Sequence, residues 1–146
     1  MNKILKIITL IFFLVFSVNM ASSKDNFFDE AVRMYQDKEY DNARFLLERN
    51  IVFNPKDAKS YLYLAKIYNH EENQKKEEYN LETTLLIEPN NEEAILMLMK
   101  IALKKSNYSK VKNLSETFTK VCKKLCDKNK EIQKSLENIE PENNES

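Results

Sequence analysis

Pro55 and Pro89 stand 34 residues apart, and each falls at the same point of the same local pattern. An apolar stretch and one polar residue lead into each proline: Ile51-Val52-Phe53-Asn54-Pro55, then Leu85-Leu86-Ile87-Glu88-Pro89. A polar opening to a new amphipathic segment follows, Lys56-Asp57 in one case and Asn90-Asn91-Glu92-Glu93 in the other. Asn90 and Glu93 have the spacing of a capping box. A proline disfavours helical geometry at the preceding residue, so each one marks the end of a helix and the entry to the next. A period of this length points to stacked helical hairpins, none of which can bury its apolar face alone.

Between these marks the apolar residues recur at i, i+3, i+4 and i+7, the signature of amphipathic helices. Phe27, Ala31 and Met34 share one face; Ala43 and Leu47 lie on the next helix with Phe45, Leu46 and Ile51. Tyr61, Leu64, Ala65 and Tyr68 follow Pro55, then Leu81, Leu85 and Leu86. Ile95, Leu98, Met99 and Ala102 follow Pro89, then Val111, Leu114 and Phe118. The pattern predicts helices over 25–37, 41–53, 57–71, 75–87, 91–105, 108–122 and 128–139. Among 146 residues there is no glycine, which removes dinucleotide fingerprints, phosphate loops, nucleophile elbows and tight hairpins, all of which need φ > 0 or a close backbone approach. Lys and Arg number 23, as do Asp and Glu, so the basic excess of a nucleic-acid binder is missing.

In these residues the chain resembles the tetratricopeptide repeat (TPR) family, over roughly 24–123. Phe27, Ala31, Tyr40, Ala43, Leu47 and Pro55 carry the likeness in the first repeat. Tyr61, Leu64-Ala65, Tyr68 and Pro89 carry it in the second, and Ile95, Leu98, Tyr108, Val111 and Phe118 in a degenerate third. Met99 stands where a small residue is expected, and Glu77 where the family places Ala, which suggests looser packing of that return helix. The resemblance implies an all-α, right-handed superhelix of about three helix pairs over 24–57, 58–91 and 92–123. The narrow stripe Ile132, Leu136 and Ile139 then reads as a capping helix over 124–139, followed by a disordered acidic tail over 140–146.

Residues 1–23 read as an address. Lys3 and Lys6 precede an apolar run over 7–18, and Ala21-Ser22-Ser23 offers a cleavage site, the layout of a secretory signal. The alternative is an uncleaved membrane anchor at 7–18, although 12 residues fall short of the ~20 a spanning helix needs. Removing the leader leaves 21 positive and 23 negative charges. The expected location is periplasmic or secreted, where disulfides persist.

Cys122 and Cys126 are the two thiols. Inside one helix, Cβ atoms at i and i+4 lie roughly 5–6 Å apart, whereas a disulfide wants about 3.5–4.5 Å, so a bridge requires a helix end between them. Asp127 is the N-cap this suggests. The readings are a structural disulfide, free or intermolecular thiols, or a thiol oxidoreductase; exported repeat proteins that the chain resembles have a similar terminal pair. Two thiolates cannot complete a tetrahedral zinc site and the sole imidazole, His70, is remote in sequence. No catalytic residue, metal site or cofactor is expected, so the chain reads as a non-enzyme. The family's first helices line a concave, peptide-gripping face, and this implies a groove of Phe28, Val32, Tyr35, Leu62, Lys66, Asn69, Leu96, Lys100 and Leu103, with Lys59 and Lys104 nearby. The competing assignment is that Phe28, Leu62 and Leu96 are core. Phe28, Val32 and Leu96 stand where the family's chaperone-tail clamp needs polar groups, which argues against that specialised activity. The expected function is an exported protein–protein interaction module for a protein or peptide partner. The alternative is a self-associating scaffold of the cell envelope; contact with nucleic acid is not expected, nor with a membrane except through the N-terminal segment.

Overall fold

A computed structural model of the chain describes residues 27–139. They form α1 (Phe27–Gln36), α2 (Tyr40–Phe53), α3 (Ala58–His70), α4 (Gln74–Ile87), α5 (Glu92–Lys104), α6 (Tyr108–Val121) and α7 (Cys126–Ile139), with no strand among the described residues. The expected leader and acidic tail lie outside them. Each helix packs on the next, α1 also touches α3, and α5 also touches α7, so the pairs stack into an all-α superhelix. Helices α3, α5 and α7 begin at Ala58, Glu92 and Cys126, 34 residues apart, so α7 occupies the place of a fourth first helix.

Small residues sit where the helices cross. Ala31, Ala43 and Leu47 pack with Leu64, Ile67 and Tyr68 between the first two pairs. Leu62, Ala65 and Leu81 meet Ala94, Leu98 and Ile101 between the second and third. Ile95, Met99, Val111 and Phe118 are then covered by Ile132 and Leu136 of α7. The α6–α7 contact adds a polar network: Ser115 Oγ donates to Asn129 Oδ1 (2.9 Å), and Asn129 Nδ2 to Thr119 Oγ1 (3.0 Å). Phe45 and Leu86, counted in the apolar pattern, are instead exposed.

The turns repeat as the helices do. Lys38, Glu72 and Ser106, 34 apart, take φ of 65°, 57° and 53°. The amide after each reaches back to an α-helical carbonyl, Glu39 to Met34, Asn73 to Tyr68 and Asn107 to Ala102, all at 2.8 Å. This is the closing bond of a Schellman turn, whose left-handed position glycine normally fills. Asn73 and Asn107 then cap α4 and α6, accepting from Lys76 N and Lys110 N. At α5 the cap is Asn91, which accepts from Ala94 N at 3.0 Å, rather than the Asn90 suggested by its spacing to Glu93. Glu77 does not loosen its helix. It is 4% exposed, and Asn69 Nδ2 donates to its carboxylate at 2.9 Å.

Candidate interaction groove

The side formed by the first helices begins with an aromatic wall. The Phe28 and Tyr35 rings meet Tyr63 edge-on, with centroids 5.6 and 5.2 Å away. Tyr40 closes on Tyr35 at 5.6 Å. Burial pushes the Tyr35 phenol above its ordinary value, with Tyr40 and Tyr63 adding to the effect. The Lys66 ammonium sits 4.6 Å over the Tyr63 ring and 2.9 Å from Glu93 Oε1, tying α3 to α5.

The other groove candidates divide by burial. Leu62 and Leu96 are each 7% exposed and belong to the packed clusters, so they form the floor beneath the surface. Val32 and Leu103 are half-buried. Asn69 is engaged with Glu77, beside which Lys104 lies close enough to offset part of the burial that pushes that carboxyl up. Lys59 and Lys100 are exposed.

Two residues at this site escaped the sequence reading. One is Tyr63, around which Phe28, Tyr35 and Lys66 gather. The other is Lys134, exposed on α7. Lys66, Lys100 and Lys134 are spaced by 34, hence at equivalent positions on three successive first helices. That spacing was the signal for Lys134.

Beside this column a cleft of about 450 Å³ opens between Leu62 and the α6–α7 loop, lined also by Glu88, Glu93, Lys124 and Leu125. One wall is built by Glu92, whose carboxylate accepts from the amides of Lys123 (2.9 Å), Lys124 (3.0 Å) and Leu125 (2.7 Å). The Leu125 bond leads in holding the Glu92 carboxyl below the usual range. The same loop brings Cys122 and Cys126 together, with Cα atoms 5.4 Å apart. The helix end expected between them is present, but α7 begins at Cys126, so Asp127 lies inside its first turn rather than at the cap.

His70 stacks obliquely on Tyr40 at 4.2 Å, at the exposed end of α3. Among the described residues no group of three or more His, Cys, Asp or Glu is placed to hold a metal, and no helix is long and apolar enough to cross a membrane.

Helix pairs in 34-residue register, followed by one more first helix, define a tetratricopeptide-repeat fold. Solved structures agree. The Sgt2 TPR domain from Aspergillus fumigatus is similar at a TM-score of 0.66 and 16% identity, over 86% of this chain and 89% of that one. A chain of the CopN–Scc3 complex is similar at 0.63 and 16% identity, over 84% and 73%. The MamA RS-1 ArsTM double mutant is similar at 0.55 and 20% identity, over 80% and 61%. No family model matches the sequence, nor does any curated protein.

Proposed function

We propose that the protein is an exported, non-catalytic interaction module that holds an acidic, partly apolar segment of a protein partner along its first-helix side. The column of Lys66, Lys100 and Lys134 beside the Tyr63 aromatic wall carries this reading. The helices are formed before the partner arrives, so ordering costs fall on the partner segment alone. Apolar side chains of that segment would cover Phe28, Val32 and Tyr35. Its carboxylates would be drawn to Lys100 and Lys134, while Lys66 exchanges Glu93 for a partner carboxylate. Cys122 and Cys126 form a structural disulfide in this reading, pinning the loop that Glu92 also holds, which suits an oxidising compartment.

The test is a pull-down from envelope extract with wild-type protein and with Lys100→Glu/Lys134→Glu. Loss of a salt-sensitive partner is expected; an unchanged set of captured proteins rejects the groove. Intact mass without reductant tests export and bridging together, because it reads both cleavage near Ser23 and the loss of two hydrogens.

A further inference from the structure

The second helices carry their own 34-residue pattern, on the side turned away from the core. Phe45 and Tyr79 are 62% and 67% exposed, and Val52 and Leu86, again 34 apart, are 77% and 84% exposed. Phe53, 65% exposed, lies beside Val52 and stacks on Phe27 at 5.9 Å. On α6 the equivalents of Phe45 and Val52 are Asn113 and Lys120, both exposed, so the apolar strip stops at the third pair. Neighbouring second helices lie side by side: Lys110 of α6 reaches Glu78 and Glu82 of α4 at 2.8 and 3.2 Å. By the same 34-residue step α2 and α4 are neighbours, both packed on α3.

Aromatic side chains present ~150–250 Å² each, so the exposed fractions leave roughly 600 Å² of apolar surface on the five residues together. That is at the upper limit for a typical monomer, about 300–600 Å². It is also most of the ~800 Å² that each partner contributes to a standard interface.

We propose that this face joins two copies of the chain about a two-fold axis parallel to α2 and α4. Such an axis lays α2 on the partner's α4 in the same direction and at the same height, so positions 34 residues apart meet. Phe45 then covers the partner's Tyr79, and Val52 covers the partner's Leu86. A second copy is the occupant because the same strip presented by each partner supplies most of the area of a standard interface, and one pair at its rim is opposite in charge. Asp41 lies one turn before Phe45 and Lys75 one turn before Tyr79, both exposed. The same axis sets Asp41 against the partner's Lys75, twice by symmetry, and brings Glu48 to the height of the partner's Glu82, whose charge Lys110 already offsets at 3.2 Å. This interface leaves the first-helix side open and does not depend on the groove reading.

Sedimentation equilibrium of the protein over about 1–100 µM tests it, because a dimer's apparent mass depends on concentration. The wild type is expected at twice the single-chain mass, and Val52→Glu/Leu86→Glu at the single-chain mass with unchanged helical circular dichroism. Lys100→Glu should leave the dimer intact. Asp41→Lys should weaken dimerisation about tenfold by setting Lys against Lys twice, and adding Lys75→Asp should restore it. A wild type that stays single at the highest concentration, including one whose own N-terminal segment covers the face, overturns the proposal. So does a dimer indifferent to Val52→Glu/Leu86→Glu, and failure of the charge exchange to restore overturns the axis.

Discussion

The three left-handed turn residues make a direct test of how this backbone is built without glycine. For an L-residue the left-handed conformation costs roughly 1–2 kcal/mol, because Cβ crowds the next carbonyl oxygen. Glycine avoids that cost but returns about 0.5–1 kcal/mol through the larger entropy of its unfolded chain. The balance for Ser106→Gly is a stabilisation of about 0.5–1 kcal/mol, since Ser106 is exposed at φ 53°. Glu72→Gly should gain a few tenths of a kcal/mol more, as its negative charge faces the negative end of α3, and Lys38→Gly correspondingly less. The sites lie in separate turns, so the triple variant should add up to about 1.5–3 kcal/mol. At ~3–4 °C per kcal/mol for a domain of this size, Tm should rise by roughly 5–10 °C in a circular-dichroism melt. Ser106→Ala keeps the Cβ and should give no gain. An unchanged or lower Tm in all three single glycine variants, or an equal gain from Ser106→Ala, would refute the reasoning.

Three further outcomes follow from packing and charge. Phe118 is fully buried under α7, so Phe118→Ala should cost about 3–5 kcal/mol in urea unfolding; a loss below about 1 would mean the third pair is not packed as described. Burial raises the Glu77 carboxyl, partly offset by Asn69 and Lys104, so the native state binds this proton more tightly than the unfolded one. Its contribution to stability is therefore full below the ordinary carboxylate range and lost as pH rises through the raised value. Glu77→Gln should melt higher than wild type at pH 7 and no higher at pH 4; a lower Tm at pH 7 contradicts this. The Glu92 carboxyl is depressed, chiefly by the Leu125 amide, so its contribution is full above the ordinary range and lost as pH falls through the lowered value. In Glu92→Gln, hydrogen exchange at neutral pH should quicken across 123–136 while α3 keeps its rate; uniform protection would show that Glu92 does not hold the loop.

The parts of the fold governed by local chemistry were legible in the sequence. Apolar phase and the two prolines place α2 to α7, and the end of α1, to within about two residues. What holds the α6–α7 loop was not legible, because the amides of 123–125 are satisfied by Glu92, more than 30 residues away. The left-handed turns were hidden by the absence of glycine, their usual marker. At the candidate groove, the family resemblance picked positions on the first helices but not their depth. Leu62 and Leu96 are among these positions and are buried, because the next first helix covers them, whereas Phe45 and Leu86 share an apolar rhythm with core residues and remain outside. Periodicity gives direction around a helix, and only the stacking of neighbours decides which direction is covered.

That stacking is keyed by charge as well as by shape. Arg44 of the first pair binds Glu71 at the end of α3, and Glu78 of the second pair binds Lys105 at the end of α5. The second contact is the first one moved on by 34 residues, with the signs exchanged. Asp41 reinforces Arg44 as Lys110 reinforces Glu78. Each of these partly exposed pairs is worth only about 0.2–1 kcal/mol, too little to account for the fold's stability. Their effect lies in the comparison with wrong arrangements. Were the first pair to dock on the third, Arg44 would meet Lys105; were the second pair to dock on another copy of itself, Glu78 would meet Glu71. Each misplacement loses an attraction and gains a repulsion, so the penalty is about double the value of the pair. The short loops 54–57 and 88–91 fix the order of the three hairpins, and the alternation of sign adds a penalty against mispairing that their similar apolar faces alone do not supply.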